Sequence, residues 1–264
     1  MEKTRIEWAD STWSVCSGCL HGCEYCYARR IANRFSKCEI SDYGTAVEHD
    51  GLHVLESPVY GKDKKGIVRK VAYPFGFEPT FHKYRLEELK TKKFGKTIFV
   101  CSMADLFGEW VPDEWIDEVF KTCMDSPEHI YLFLTKNPAR YLELAKAGKL
   151  PELENFWYGS TITNTEMPYF FSKKHKTFLS IEPIHESFEG KEEAAKYAEK
   201  VDWAILGAET GNRAGKVIPK REWVEDVVNA FRESGKPIFM KDSMKDSWGE
   251  DIITQTPWSK DAEE

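Results

Sequence analysis

The strongest constraint on this chain is its rhythm. Short apolar runs alternate with segments whose apolar residues recur at helical spacing. The runs are Thr12–Val15, Glu78–Phe81, Thr97–Cys101, Ile130–Leu134, Phe156–Thr161, Thr177–Ile181, Trp203–Leu206 and Pro237–Met240. Most are continuously apolar, as strands covered on both faces must be. Between them, Ala28, Ile31, Ala32 and Phe35 fall on one helical stripe, as do Ile116, Val119, Phe120 and Cys123. Ala194, Tyr197, Ala198 and Val201 form another, and Trp223, Val227 and Phe231 a fourth behind Pro219, which suits a first helical turn. Strand–helix alternation of this kind predicts an α/β fold: a partial or closed parallel (β/α) barrel of six to eight strands, with an open doubly wound sheet as the rival arrangement. The 264 residues suffice for one such domain. It is expected over residues 1–253. Residues 37–77 break the rhythm with glycines and charges and read as an inserted loop segment, a lid or flap. Residues 254–264 read as an acidic C-terminal tail.

Four of the seven cysteines crowd into residues 16–26. A disulfide framework would be spread along the chain, so this clustering points to metal ligation in a reducing cytoplasm. No apolar run follows a basic start and no stretch has membrane-spanning length, so a cytoplasmic protein without membrane partners is expected. The spacing Cys19-x3-Cys23-x2-Cys26 places three thiolates on one short loop. Three thiolates can hold three irons of a [4Fe–4S] cubane and leave the fourth iron open to an external ligand. Gly18 and Gly22 permit the tight turns that wrapping a cluster requires. With Cys16 as a fourth ligand, the alternatives are a closed zinc site or a ferredoxin-like closed cluster. A zinc ribbon, however, separates its Cys pairs by a long hairpin, and only three residues intervene here.

This loop resembles the signature of the radical S-adenosylmethionine superfamily, in which an aromatic residue precedes the last Cys; Tyr25 fills that position. Gly22-Cys23-Glu24-Tyr25-Cys26-Tyr27-Ala28 is similar to the branch containing spore photoproduct lyase. It is closer still to a phage-associated family of uncharacterised radical-type proteins. That likeness also covers Thr12-Trp13, Ser102 to Phe107, Leu134-Thr135-Lys136, Ile181-Glu182-Pro183 and Gly207 to Gly211. The resemblance implies a [4Fe–4S] cluster, S-adenosylmethionine and a one-electron donor of flavodoxin or ferredoxin type. It also implies that Tyr25, Ser102 and Asp105 lie near the cofactor. Two features depart from the pattern. Cys16 is an extra cysteine, and the superfamily's Gly-Gly-Glu-type motif is absent after the second strand.

In parallel barrels the working residues stand at the C-terminal ends of the strands. Ser102, Asp105, Ser160, Glu182, Glu209 and Lys241 all occupy such places and are expected to line one mouth suited to a polar cofactor. The bland alternative is that the charges pair with one another, Lys241 with Glu182 or Glu209, and that Ser102 and Asp105 serve a turn or helix cap. Cys101 is a candidate hydrogen-atom donor to a substrate radical, or else a small buried hydrophobe. His21 reads as a neighbour of the cluster rather than a ligand. Trp8, Trp13, Trp110 and Trp157 suit base stacking or the core.

The expected activity is reductive cleavage of S-adenosylmethionine to start radical chemistry on an unidentified substrate, with nucleic acids and nucleosides among the candidates. The alternative is a non-catalytic four-cysteine zinc or iron–sulfur module acting as an adaptor. The net charge of −7 argues against a general polyanion binder. The run Lys62, Lys64, Lys65, Arg69, Lys70 is the clearest local exception, either a phosphate contact or a solvated loop.

Overall fold

The computed structural model describes residues 2–4, 6–42, 46–91, 95–211, 213 and 215–259. Its main sheet contains β1 (Ser11–Trp13), β2 (Thr97–Val100), β3 (Ile130–Thr135), β4 (Phe156–Ile162), β5 (Lys176–Ile181), β6 (Trp203–Leu206) and β7 (Ile238–Met240), in that spatial order. The intervening helices are α1 (Tyr27–Phe35), α2 (Asp113–Met124), α3 (Pro138–Lys146), α4 (Lys191–Lys200) and α5 (Arg221–Glu233). Parallel pairing joins β1 to β2 and runs from β4 through β7. Glu2–Lys3 adds an antiparallel edge to β1. The fold is α/β, a partial parallel barrel of seven strands with flanking helices. Among the described residues no helix is long and apolar enough to cross a membrane.

By contacts the chain divides into two compact units, Met1–Arg5 with Ala9–Tyr131, and Ile6–Trp8 with Leu132–Glu264. In the first unit all four residues of β2 are buried, and α2 buries Trp115, Ile116, Val119, Phe120 and Cys123 on one stripe. That is the helical pattern turned into core. α1 behaves differently: Ala28 and Ala32 are buried, but Ile31 and Phe35 face solvent.

The expected strand Glu78–Phe81 does not join the barrel. Only Thr80–Phe81 is extended, paired antiparallel with Cys16–Ser17 in a separate sheet with Leu52–Leu55 and Ala46–His49. Pro79, inside the expected run, has no N–H to give a ladder, and its carbonyl accepts from His53 N instead. The 37–77 insertion is built of short strands rather than plain loop. Glu39–Asp42, Tyr60–Lys62 and Val68–Lys70 form an antiparallel sheet, and Leu55, Val59 and Val71 make a small core backed by Ile40, Phe75 and Tyr84.

In the second unit β4 to β7 are buried along nearly their whole length. Trp203 is fully buried among Trp8, Trp157 and Phe178, aromatic burial that contributes more per residue than any aliphatic contact. α3 begins with Pro138 at a first-turn position, a helix start that periodicity alone does not mark. α5 begins at Arg221, so Pro219 lies just before its cap rather than in its first turn. In the C-terminal segment, Thr254 bridges Phe239, Gln255 N donates to Ile238 O at 2.9 Å, and Trp258 packs on Trp157 and Trp203. The remainder of the expected acidic tail, 260–264, lies outside the described residues.

Candidate functional site

The cysteine loop is held from both sides. Cys16–Ser17 is strand-paired, and Ser17 Oγ lies 2.8 Å from Nε2 of buried His82. Gly18 N donates to Met103 O at 3.0 Å and Cys19 N to Phe77 O at 3.2 Å. Gly18 has a φ of 85°, and a Cβ there would sit 2.1 Å from Glu78 O, so only glycine fits this entry to the loop. At the other end Cys26 is the N-cap of α1, its Sγ accepting from Arg29 N at 3.4 Å. Cys19, Cys23 and Cys26 are half-buried, whereas Cys16 is 3% exposed.

The thiols have different surroundings. Burial pushes Cys19 up to about 12, with nearby Asp105, Cys23 and Cys26 adding in the same direction. Burial also raises Cys16, whose side chain hydrogen-bonds with Cys101. Cys101 is 2% exposed and takes a left-handed φ of 59° at the end of β2.

The segment after β2 packs on the loop. His21 Nε2 lies 2.7 Å from Asp105 Oδ2, and Asp105 Oδ1 accepts from Phe107 N at 3.0 Å. The His21 ring meets Trp110 edge-on at 4.9 Å. Tyr27 Oη donates to the backbone carbonyl of Ser102 at 2.9 Å. Asp105 is therefore both turn former and loop anchor. Sequence reasoning misses the His21–Asp105 pair because nothing in residue spacing links positions 84 apart. Tyr25 is half-buried within the same loop.

The donor set fits an iron–sulfur cluster: three half-buried thiols on one glycine-turned loop, one of them at a helix N-terminus. Among the described residues no group of three or more His, Cys, Asp or Glu side chains is gathered as a metal-ion site. A cubane makes a different demand from a single ion, since each thiolate takes a separate iron.

In the second unit the strand-end residues are paired locally. Lys241 Nζ and Glu182 Oε1 form an ion pair. Gly207 makes room for it, because a Cβ there would lie 2.9 Å from the Glu182 side chain. Buried Glu209 accepts a fork from Arg213, Nε to Oε1 and Nη2 to Oε2, each at 2.7 Å. That guanidinium holds the Glu209 carboxyl below the usual carboxylate range. His185 Nε2 stands 4.0 Å from Glu209 Oε2. Sequence reasoning overlooks Arg213, since residues 207–211 are not helical and a four-residue spacing there signals no contact. Ser160 is fully buried and its Oγ accepts from Phe170 N at 2.9 Å, a loop-fixing role that the strand-end position does not disclose. Of the four expected tryptophans, Trp8, Trp13 and Trp157 are core.

A family model described as "Protein of unknown function (DUF5131)" matches residues 3–262. No curated protein matches in sequence. Among solved structures, "Spore photoproduct lyase complexed with dinucleoside spore photoproduct" is similar at a TM-score of 0.48 and 11% identity, over 91% of this chain and 79% of that one.

Proposed function

We propose that this chain, which belongs to the family described as "Protein of unknown function (DUF5131)", holds a [4Fe–4S] cluster through Cys19, Cys23 and Cys26 and cleaves S-adenosylmethionine reductively. The observation that carries the reading is the loop itself: three half-buried thiols, a fourth thiol turned away into the core, and a glycine entry that no other residue fits. Such a cluster, when bound with one iron open, supplies the electron that breaks a carbon–sulfur bond of S-adenosylmethionine.

The chain's own residues then have separable tasks. Cys26 presents its sulfur at the α1 N-terminus, where the backbone N–H of Arg29 steadies it. His21 and Asp105 tie the loop to the segment after β2, which fixes the loop's curvature. Ser102, held through its carbonyl by Tyr27, and Tyr25 are assigned to cofactor contact. Cys101 is assigned to hydrogen-atom donation, a role that uses its place at the end of β2. Ser160, Glu182, Glu209 and Lys241, at or near the ends of β4 to β7, are assigned to cofactor contact as well; Glu182 and Lys241 supply both signs of charge, as an amino acid ligand requires. An external one-electron donor completes the reaction.

The test is product analysis. Anaerobically reconstituted, dithionite-reduced protein is incubated with S-adenosylmethionine. The reading expects 5′-deoxyadenosine and methionine in equal amounts. Iron-loaded protein that leaves S-adenosylmethionine intact would overturn it.

A further inference from the structure

The insertion carries a feature that the cluster reading does not use. Residues 60–70 hold five cations, Lys62, Lys64, Lys65, Arg69 and Lys70, against one carboxylate, Asp63, in a chain of net charge −7. They form a β-hairpin in which Tyr60 pairs with Lys70 and Lys62 with Val68. Cross-strand partners share a face, so Tyr60, Lys62, Val68 and Lys70 stand on one side of the ribbon.

The hairpin's single carboxylate is engaged by its own turn. Asp63 Oδ1 accepts from Lys65 N at 2.9 Å and Ile67 N at 3.0 Å, and Oδ2 accepts from Arg69 Nε at 2.9 Å. These bonds, the Ile67 one foremost, hold its carboxyl below the ordinary carboxylate range. Lys70 is anchored too, its ammonium 4.3 Å from the Tyr84 ring centre. Lys62, Lys64 and Lys65 are left exposed, and Lys62 has Glu39 as its cross-strand partner. Beside them a concavity of about 300 Å³ is lined by Lys37, Cys38, Glu39, Lys62, Asp63 and Lys64, where Glu39 adds one opposing charge.

Apolar surface is interleaved with these charges. Tyr60 is 44%, Ile67 47% and Val68 56% exposed. Tyr60 and Val68 share a face with Lys62 and Lys70, so aromatic and aliphatic surface lies directly beside the cations. Cations alternating with aromatic and aliphatic surface suit a polymer that offers phosphates and base faces together. An acidic protein would match the charges but leave the apolar positions without a regular partner. We propose that the 60–70 hairpin binds a nucleic-acid backbone, with Lys62, Lys64 and Lys65 pairing to its phosphates. This binding is independent of the cluster.

The experiment is fluorescence anisotropy of the full chain with a labelled single-stranded oligodeoxynucleotide, its duplex, an RNA of the same sequence and labelled polyglutamate, each across a salt series. The expected result is binding to a nucleic acid, weakened at least ~10-fold in Lys62→Gln/Lys64→Gln/Lys65→Gln. The log–log salt slope should fall by about 2, near 0.7 for each single-strand phosphate no longer neutralised. The corresponding triple Lys→Arg variant should bind like the wild type. Absence of binding, unchanged affinity in the Gln variant, or preference for polyglutamate over every nucleic acid would each overturn the proposal. The last outcome would point to an acidic protein instead. Unchanged circular dichroism in both variants checks that the fold is intact.

Discussion

The cysteine loop and the charged strand ends of the second unit answer the same problem in opposite ways. Both bring reactive or ionisable side chains out of solvent. At the strand ends the charges are satisfied from within, Glu182 by Lys241 and Glu209 by the fork of Arg213. In the loop the backbone is satisfied, through Gly18, Cys19 and Cys26, while the side chains of Cys19, Cys23 and Cys26 stay half-buried. A region whose donors are matched internally is stable without a ligand. On the proposed reading, the loop's fixed backbone holds three half-buried thiols for a cluster. Cys16 shows the contrast within a few residues, since it is core-facing and hydrogen-bonded with Cys101.

The sharpest break in this comparison is Cys23→Ala. It is expected to abolish the iron chromophore and S-adenosylmethionine cleavage while leaving the far-ultraviolet circular dichroism of the chain unchanged. Full iron content in this variant would remove the loop as a ligand set.

Next comes acid. Burial depresses His82 to about 3, so its neutral form belongs to the fold while an unfolded chain would titrate near 6.5. The unfolded state therefore binds the extra proton between those values. Stability from this group is full above pH 6.5 and is lost as pH falls toward 3. The size is on the order of 4 kcal/mol. Denaturant titrations at several pH values should show this decline, and His82→Gln should flatten it. An equally steep decline in His82→Gln would assign the acid sensitivity elsewhere.

Glu209→Gln tests the other region. It removes the charge that Arg213 is paired with and should cost about 1–3 kcal/mol, discounted because Arg213 is partly exposed. Iron content should not change. If this variant loses iron as Cys23→Ala does, Glu209 belongs with the groups that hold the cluster rather than with the cofactor contacts.

Cys16→Ala is expected to have the smallest effect: a retained chromophore and a modest loss of packing energy, about 1 kcal/mol. Loss of iron comparable to Cys23→Ala would make Cys16 a fourth ligand and weaken the open-iron reading.

Much of the fold is legible in the sequence because burial on both faces writes itself into continuous apolar runs; β3 to β7 match their expected spans within two residues at each end. Glu78–Phe81 misleads because Pro79, whose missing N–H breaks the ladder, sits in a run that composition alone makes strand-like. The helical stripe of α1 is half true, since Ile31 and Phe35 are exposed. Periodicity reports a helix, not what covers it. The cysteine loop is readable from spacing, because its cysteines are close in sequence. His21 with Asp105 and Cys16 with Cys101 are not, since those pairs depend on how β2 returns to the loop. Lys241 with Glu182 is readable as a need, two charges in apolar strand ends requiring partners, though the choice of Glu182 over Glu209 depends on the space at Gly207.

The most direct test of the central claim is anaerobic reconstitution of the full chain with iron and sulfide, followed by electron paramagnetic resonance of the reduced protein with and without S-adenosylmethionine. The account predicts brown protein with iron and sulfide in cubane proportion and a reduced-cluster signal that shifts when S-adenosylmethionine is added, as an open iron requires. Colourless protein that retains zinc, or a cluster whose signal is indifferent to S-adenosylmethionine, would contradict it.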